Sequence, residues 1–153
     1  MPVTNASFLF ILLFFVWFGS ANALAQSGYR KLSDEEMQTS SLKTAQTLAE
    51  AMLTAQKKGQ AYTFSETEAT PAIRGDFSAE KQLQTYSAIK ELFGDYQSLT
   101  FVEAYQTTNA PAYQIFRFRG DFEKGTTQPE VRVVLNDSTQ LAGFFITPWQ
   151  EVL

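Results

Sequence analysis

The chain has 153 residues, is 44% hydrophobic and 14% aromatic, and carries a net charge of −4. One domain with a sizeable core is expected at this length, and so many aromatic residues argue against disorder. The acidic balance disfavours binding to nucleic acid, whose phosphates it would repel. The sequence contains neither Cys nor His, which excludes thiol chemistry, disulfides, imidazole bases and the usual zinc sites. We therefore expect no metal and no cofactor.

The first segment has the pattern of a targeting signal. Residues 8–18 form an uninterrupted apolar run, and a small-x-small cleavage pattern ends at Ala25. A run of this length fits a signal-peptide core of about 7–15 residues, and it is shorter than the roughly 20 residues needed to cross a bilayer. The sequence predicts a signal peptide over 1–25 and a periplasmic or secreted protein with no stable membrane anchor after cleavage. An uncleaved signal anchor is the alternative.

The mature chain is predicted to be a polar lead over 26–32 and a single α+β domain over 33–153. A first helix is predicted over 33–58, where Ser33 and Glu36 form a capping box ahead of an apolar stripe. A second helix is predicted to begin after the cap Ser78 and to end at Gly94. Its predicted apolar face consists of Leu83, Tyr86, Ile89, Leu92 and Phe93. The apolar period then changes from the helical spacing to two, which indicates strands. The four predicted strands cover 97–106, 111–122, 129–136 and 139–147.

The links between these strands are short, so they are predicted to form a four-stranded antiparallel meander. The assumed turns pair Phe101 with Phe116, Phe118 with Val133, and Val133 with Ala142. This register places one set of apolar residues on a single sheet face, namely Leu99, Phe101, Phe116, Phe118, Val131, Val133, Leu135, Phe144 and Ile146. The two helices would cover that face, which gives a two-layer α+β fold.

A pattern of apolar positions and a few glycines extends over most of the mature chain. The stretches that carry it are 91–96, 99–103, 116–122, 131–136 and 141–148. The pattern resembles the cystatin-like, cone-shaped fold of the nuclear transport factor two-like superfamily (SnoaL-like proteins), and within it a small bacterial exported family of unknown function. That superfamily includes isomerases, cyclases, dehydratases and non-catalytic binders, so the resemblance implies a fold and not an activity. Its enzymes place His or Asp pairs in the cone; no such motif aligns here, so no catalytic residue is carried over.

Glu103 is the most informative polar residue of the sequence. The predicted register places it on the apolar sheet face, beyond Phe101 and opposite Gln114, with Tyr105 following on the same face. A carboxylate turned toward a core should have a raised pKa and could act as a general base. The alternative is that Glu103 lies at the end of the sheet, solvated or hydrogen-bonded to Gln114. Together with Phe116, these residues are the predicted lining of a ligand site.

Three arginines are predicted on the opposite, outward face of the sheet. Arg117, Arg119 and Arg132 are expected to pair there with Asp121 and Glu130. Exposed ion pairs of this kind contribute about 0–1 kcal/mol and imply no function by themselves.

The outward face also carries apolar side chains that the predicted helices leave uncovered, namely Tyr113, Ile115, Val134, Leu141 and Phe145. Contiguous exposed apolar patches mark interaction sites, so these residues predict a homodimer interface. Dimerisation through this sheet face is also what the resemblance implies. The alternative is that residues 149–153 or the polar lead fold over the patch.

Three functions remain open from the sequence. The first is an exported, non-catalytic domain that binds a small apolar or amphiphilic ligand or a partner protein. The second is an isomerase- or cyclase-like enzyme with Glu103 as general base. The third is a structural interaction module of the cell envelope.

Overall fold

The computed structural model describes residues 28–125 and 128–153, so the predicted signal peptide lies outside the described residues. The described helices are α1 (Thr39–Lys57), α2 (Pro71–Asp76) and α3 (Ala79–Phe93). The strands are β1 (Tyr29–Lys31), β2 (Tyr96–Thr107), β3 (Gln114–Phe122), β4 (Glu130–Leu135) and β5 (Leu141–Thr147). Across these ranges no helix has the length and apolar character that crossing a bilayer requires.

The predicted α+β class is confirmed, with a five-stranded antiparallel sheet in the order β1-β2-β3-β4-β5. Helix α1 packs on β2 and β4, and α3 packs on α1. Strand β1 is absent from the sequence prediction, because three residues without apolar alternation carry no strand signal. It is specified by pairing with β2, where Tyr29 lies opposite Thr107 and Lys31 opposite Tyr105.

Helix α1 begins six residues later than the sequence predicts. The capping-box contacts of Ser33 and Glu36 do form, with each backbone N–H bonded to the other side chain at 3.0 and 3.3 Å. They close an isolated turn, and the helix starts after Gln38 without a side-chain cap. Its buried stripe follows the predicted helical spacing, namely Ser41, Ala45, Leu48, Ala49, Met52, Leu53 and Gln56. The core therefore lies between α1 and the sheet.

Helix α3 has the predicted ends. The Ser78 side chain accepts a hydrogen bond from the Lys81 amide, and Gly94 ends the helix at φ +80°. Its buried face differs from the predicted one, because Gln82, Tyr86 and Ile89 are buried and not Leu83 or Leu92. Leu83 and Leu92 are exposed, and the buried Gln82 amide hydrogen-bonds the backbone of Tyr62 in the neighbouring loop.

All three predicted hairpins form, and each is shifted by two residues from the predicted register. Phe101 pairs with Phe118, Phe118 with Val131, and Val133 with Phe144. Each shift arises because the centre of the connecting turn lies one residue from its assumed position. Side chains alternate with a period of two, so a shift of two leaves the residues outside the bulges on their predicted face. The predicted apolar face is the sheet side of the core.

The sheet has three bulges, and two of them change the face of residues that the sequence analysis places. In β2, Phe101 pairs with Phe118 but Glu103 pairs with Arg117, which leaves Val102 as an extra residue. Glu103 therefore lies on the outward face, and its predicted place on the core face opposite Gln114 is wrong. A one-residue insertion inverts the alternation beyond it, which a strand pattern of Val, Glu and Tyr does not reveal.

The second bulge lies where β4 meets β5. Val134 pairs with Gly143, whereas the sequence predicts Leu141 as its neighbour. Leu141 is turned into the core and is fully buried.

The start of β5 also contacts the segment that precedes α2. The Leu141 N–H donates to the Glu68 carbonyl at 2.8 Å, and the Thr70 N–H donates to the Leu141 carbonyl at 3.0 Å. Ala69 thereby forms a parallel bridge with Leu141. These bonds fix the loop before α2 against the sheet.

Candidate functional site

A chain of alternating charges crosses the outward face of the sheet. Lys31 Nζ lies 2.8 Å from the Glu103 carboxylate, which accepts a 2.5 Å bond from Arg117. Arg117 also binds both carboxylate oxygens of Glu130, at 3.0 and 2.7 Å, and Arg132 binds the same carboxylate at 2.7 Å. We call these five residues the ion-pair network. The sequence predicts that Arg117, Arg119 and Arg132 pair with Asp121 and Glu130; in the described ranges Glu130 pairs with Arg117 and Arg132, whereas Asp121 is in no ion pair. The part of Glu103 is not predicted.

The centre of the ion-pair network is buried, whereas the sequence predicts exposed ion pairs; Lys31 at its end is 62% exposed. The side chains of Arg117 and Glu130 have no exposed surface, and 11% of the Glu103 side chain is exposed. Burial raises the pKa of both glutamates, but hydrogen bonds from Lys31, Tyr105 and Arg117 outweigh it at Glu103. At Glu130, hydrogen bonds from Arg117 and Arg132 likewise outweigh the effect of burial on the pKa. Both carboxyls therefore have a lowered pKa and stay ionised at neutral pH.

The chain after β5 folds back over the ion-pair network. The Trp149 ring lies 4.4 Å from the Arg117 guanidinium and 3.9 Å from that of Arg119. The Gln150 carbonyl accepts a hydrogen bond from Arg117. This agrees with the alternative in which residues 149–153 cover part of the outward face.

The network offers little to a reaction. A general base needs a pKa near the working pH, and the pKa of Glu103 is shifted in the opposite direction. Its carboxylate oxygens are bound by Lys31 and Arg117, which are permanent cations at neutral pH. Over the described part of the chain, no group of three or more acidic residues is arranged to hold a metal ion.

The residues of the predicted ligand site do not form one pocket. Phe101 and Phe116 lie on the core face, where Phe116 is fully buried and Phe101 packs against Phe118. Glu103 and Tyr105 lie on the outward face, because the bulge at Val102 reverses their direction. Gln114 lies opposite Leu135, at the end of the core face.

The predicted interface residues are also divided. Leu141 is in the core, and Ile115 and Val134 are each only 2% exposed within the single chain. Tyr113 and Phe145 remain partly exposed. The apolar patch is therefore smaller than the sequence suggests, and the homodimer stays a prediction.

A second site lies between the loop at 61–64, α2 and the start of α3. Tyr62, Phe64 and Phe77 form a row of aromatic rings with centroid distances of 5.0 and 6.3 Å. They line a cleft of about 200 Å³ with Arg74 and Gln82, which we call the aromatic cleft.

Hydrogen bonds make the walls of the aromatic cleft rigid. The buried Gln82 amide accepts from the Tyr62 N–H at 2.8 Å and donates to the carbonyls of Tyr62 and Phe77, both at 2.9 Å. The Tyr62 hydroxyl donates to Glu68 at 2.7 Å. Burial and this bond raise the pKa of Tyr62 to about 12, so the phenol keeps its proton.

Arg74 is the ionic group of the cleft, and it is held loosely. Its guanidinium lies 3.5 Å from the Glu66 carboxylate, whose side chain is 86% exposed. The sequence does not predict this site, because 60–77 has no apolar period. The available signal was three aromatic residues and one Arg in a segment that forms neither strand nor long helix.

The chain matches no family model, and comparisons with curated proteins and with solved structures find no match either.

Proposed function

We propose that the chain is a non-catalytic binding domain, and that its ligand is a small amphiphilic molecule with an acidic group. The observation that supports this most directly is the aromatic cleft, in which apolar rings and a guanidinium face the same space. Binding sites combine apolar walls with a few placed polar groups in this way. The ligand-site residues predicted from the sequence do not support this role, because they lie on opposite faces of the sheet.

The loose ion pair of Arg74 makes it available to a ligand. An exposed pair such as Arg74–Glu66 contributes about 0–1 kcal/mol, so a carboxylate in the cleft could replace Glu66 at little cost. A bidentate bond between a guanidinium and a carboxylate is stronger and directional.

The size of the aromatic cleft limits the ligand. Its volume of about 200 Å³ is below the range of roughly 300–1,000 Å³ that is typical of drug-sized ligands. One aromatic ring or a short alkyl chain would fit against Phe64 and Phe77. An aromatic or short-chain carboxylate is therefore the proposed ligand class; one side chain of a partner protein is the alternative occupant.

The test is an NMR titration of the protein with benzoate and hexanoate, with benzyl alcohol as an uncharged comparison. We expect shifts of the amides around Phe64 and Phe77, and weaker binding of the alcohol. Arg74→Gln should reduce the affinity for benzoate about tenfold, since a charge-assisted bond is worth roughly 1.5–3 kcal/mol. Arg30→Gln, which removes another surface ion pair, should leave it unchanged. Equal binding by both variants would contradict the proposed role of Arg74.

Export is a separate part of the proposal and rests on the sequence of residues 1–25. Cleavage after Ala25 would leave Gln26 as the first residue, in the periplasm or the medium. N-terminal sequencing of the protein from these fractions tests this, and an intact Met1 in the membrane fraction would contradict it.

A further inference from the structure

The segment over 61–77 contacts two parts of the fold, the aromatic cleft and strand β5. Four of its side chains line the cleft, namely Tyr62, Phe64, Arg74 and Phe77. Between them along the chain, the Glu68 carbonyl accepts a 2.8 Å bond from the Leu141 N–H, and the Thr70 N–H donates to the Leu141 carbonyl at 3.0 Å. We call these two bonds the Leu141 contact. One stretch of chain therefore forms much of the cleft and also its attachment to the sheet.

Glu68 joins the Leu141 contact to the cleft. Its carboxylate accepts a 2.7 Å bond from the Tyr62 hydroxyl and a 2.8 Å bond from the Ser65 N–H, while its carbonyl holds Leu141. The bonds from Ser65 and Tyr62 lower the pKa of Glu68, so the carboxyl is ionised at neutral pH and keeps both bonds. A displacement of Glu68 from β5 would therefore also move the Tyr62 ring, which is one wall of the cleft.

Thr70 joins the same contact to a second wall of the cleft. Its side chain accepts a 3.4 Å bond from the Ile73 N–H and thereby caps α2. Helix α2 carries Arg74, and Phe77 is its C-cap; both residues line the cleft. Loss of the Leu141 contact would therefore free the start of the helix that positions the guanidinium.

The attachment of this segment to the β4–β5 hairpin includes three hydrogen bonds. Two are those of the Leu141 contact, and the third is a 2.8 Å bond from the Gln140 side-chain amide to the Glu66 carbonyl. Native proteins open locally in contiguous cooperative units, at free energies below that of global unfolding. A short segment held in this way can therefore leave the hairpin while the sheet stays intact.

We propose that the aromatic cleft and the Leu141 contact open and close as one unit, so that a ligand in the cleft fixes the segment over 61–77 on β5. The coupling rests on the proposed function, since the cleft ligand is what shifts the equilibrium between the two forms. A ligand that binds only the closed form reduces the population of the open form by a factor of 1 + [L]/Kd, which is about tenfold at ten times Kd. Occupancy of the cleft is then transmitted to β5, outside the binding site.

The test is native-state hydrogen exchange of the Thr70 and Leu141 amides, followed by NMR. Tyr62→Phe keeps the ring but removes the hydroxyl that donates to Glu68. It should speed the exchange of both amides about threefold to tenfold, as expected for one lost hydrogen bond.

Tyr86→Phe is the matched control. The Tyr86 hydroxyl donates a bond of the same 2.7 Å length to Asp95, outside the segment, so its loss should leave the exchange of the two reporter amides unchanged. The amides of β3, in the middle of the sheet, should not respond to Tyr62→Phe. This separates local opening from a loss of global stability.

Benzoate provides the second arm of the experiment. At ten times its measured Kd, it should slow the exchange of the Thr70 and Leu141 amides about tenfold. Binding of benzoate in the cleft without this slowing would overturn the proposal, and so would unchanged exchange of these amides in Tyr62→Phe. If neither benzoate nor hexanoate binds, the proposed function fails and the role of the ligand with it, whereas the Tyr62→Phe result still decides whether the cleft and the Leu141 contact form one unit.

Discussion

Glu130 is the residue whose neutralisation should harm the fold most. Three charge-assisted hydrogen bonds converge on its buried carboxylate, two from Arg117 and one from Arg132. Glu130→Gln keeps the size of the side chain but removes the charge. Arg117, which has no exposed surface, is then left with Glu103 as its single anionic partner.

The expected loss follows from this burial. Removing one member of a buried ion pair costs about 3–5 kcal/mol, because the remaining charge stays desolvated without full compensation. Glu103 still offsets part of that charge, so we expect the lower end, about 3 kcal/mol. Replacing both partners with apolar residues of similar size is often nearly neutral. Arg117→Met combined with Glu130→Leu should therefore be more stable than the sum of the two single changes suggests.

Urea denaturation at pH 7 of the wild type, Arg117→Met, Glu130→Leu and the double variant forms a double-mutant cycle, and Glu130→Gln is measured beside it. The matched control is Glu66→Gln, which removes an 86% exposed carboxylate from a long ion pair and should cost less than about 0.5 kcal/mol. If Glu130→Gln costs no more than this control, or if the two single changes simply add, the buried network does not stabilise the fold in the way that its burial implies.

Further predictions concern pH, backbone strain and the covering segment, which is the chain over 149–153 that folds over the ion-pair network. Burial of Glu103 is outweighed by hydrogen bonds that lower its pKa, so its stabilisation is present above the unfolded value of 4.5 and is lost as the pH falls through the folded value. Glu103→Gln should flatten the acid limb of stability measured by urea at each pH, and an unchanged limb would refute this. Thr139 has a φ of +59°, and Thr139→Gly should raise the melting temperature measured by calorimetry. The left-handed conformation costs Thr roughly 1–2 kcal/mol, whereas the greater freedom of glycine in the unfolded chain costs roughly 0.4–1 kcal/mol. A lower melting temperature would contradict the strain. Trp149→Ala should reduce the free energy of unfolding by about 1–2 kcal/mol, because it removes the ring stacked on Arg117 and Arg119. Unaltered stability would show that the covering segment is loosely held.

The core face of the sheet could be predicted from the sequence because side-chain direction has a period of two. The predicted pairing is in error by two residues in each hairpin, yet Phe118, Val131 and Val133 still lie on the predicted face. The same reasoning fails for Glu103, because the extra residue Val102 is β-branched and fits a regular strand pattern as well as a bulge.

The candidate sites were harder to predict because they depend on contacts between distant segments. In the aromatic cleft, the Gln82 amide joins the loop that carries Tyr62 and Phe64 to Phe77. Gln82 is polar, so the sequence pattern of α3 does not predict that it is buried. The capping box at Ser33 shows the converse case, in which a local motif forms without the helix that it usually begins. Local motifs such as this turn therefore form as the sequence predicts, whereas tertiary packing decides whether a helix follows them.

The bridge between Ala69 and Leu141 bears on how this protein could aggregate. Strand β5 is the last strand of the sheet, and its seven residues carry no charge. Uncharged edge strands are templates for intermolecular pairing, and proteins commonly cover them. Here the cover is the short segment before α2, held by two backbone bonds at Leu141. Release of that segment would expose the start of β5 while the core stays folded, so mild heating should produce aggregates below the global melting temperature.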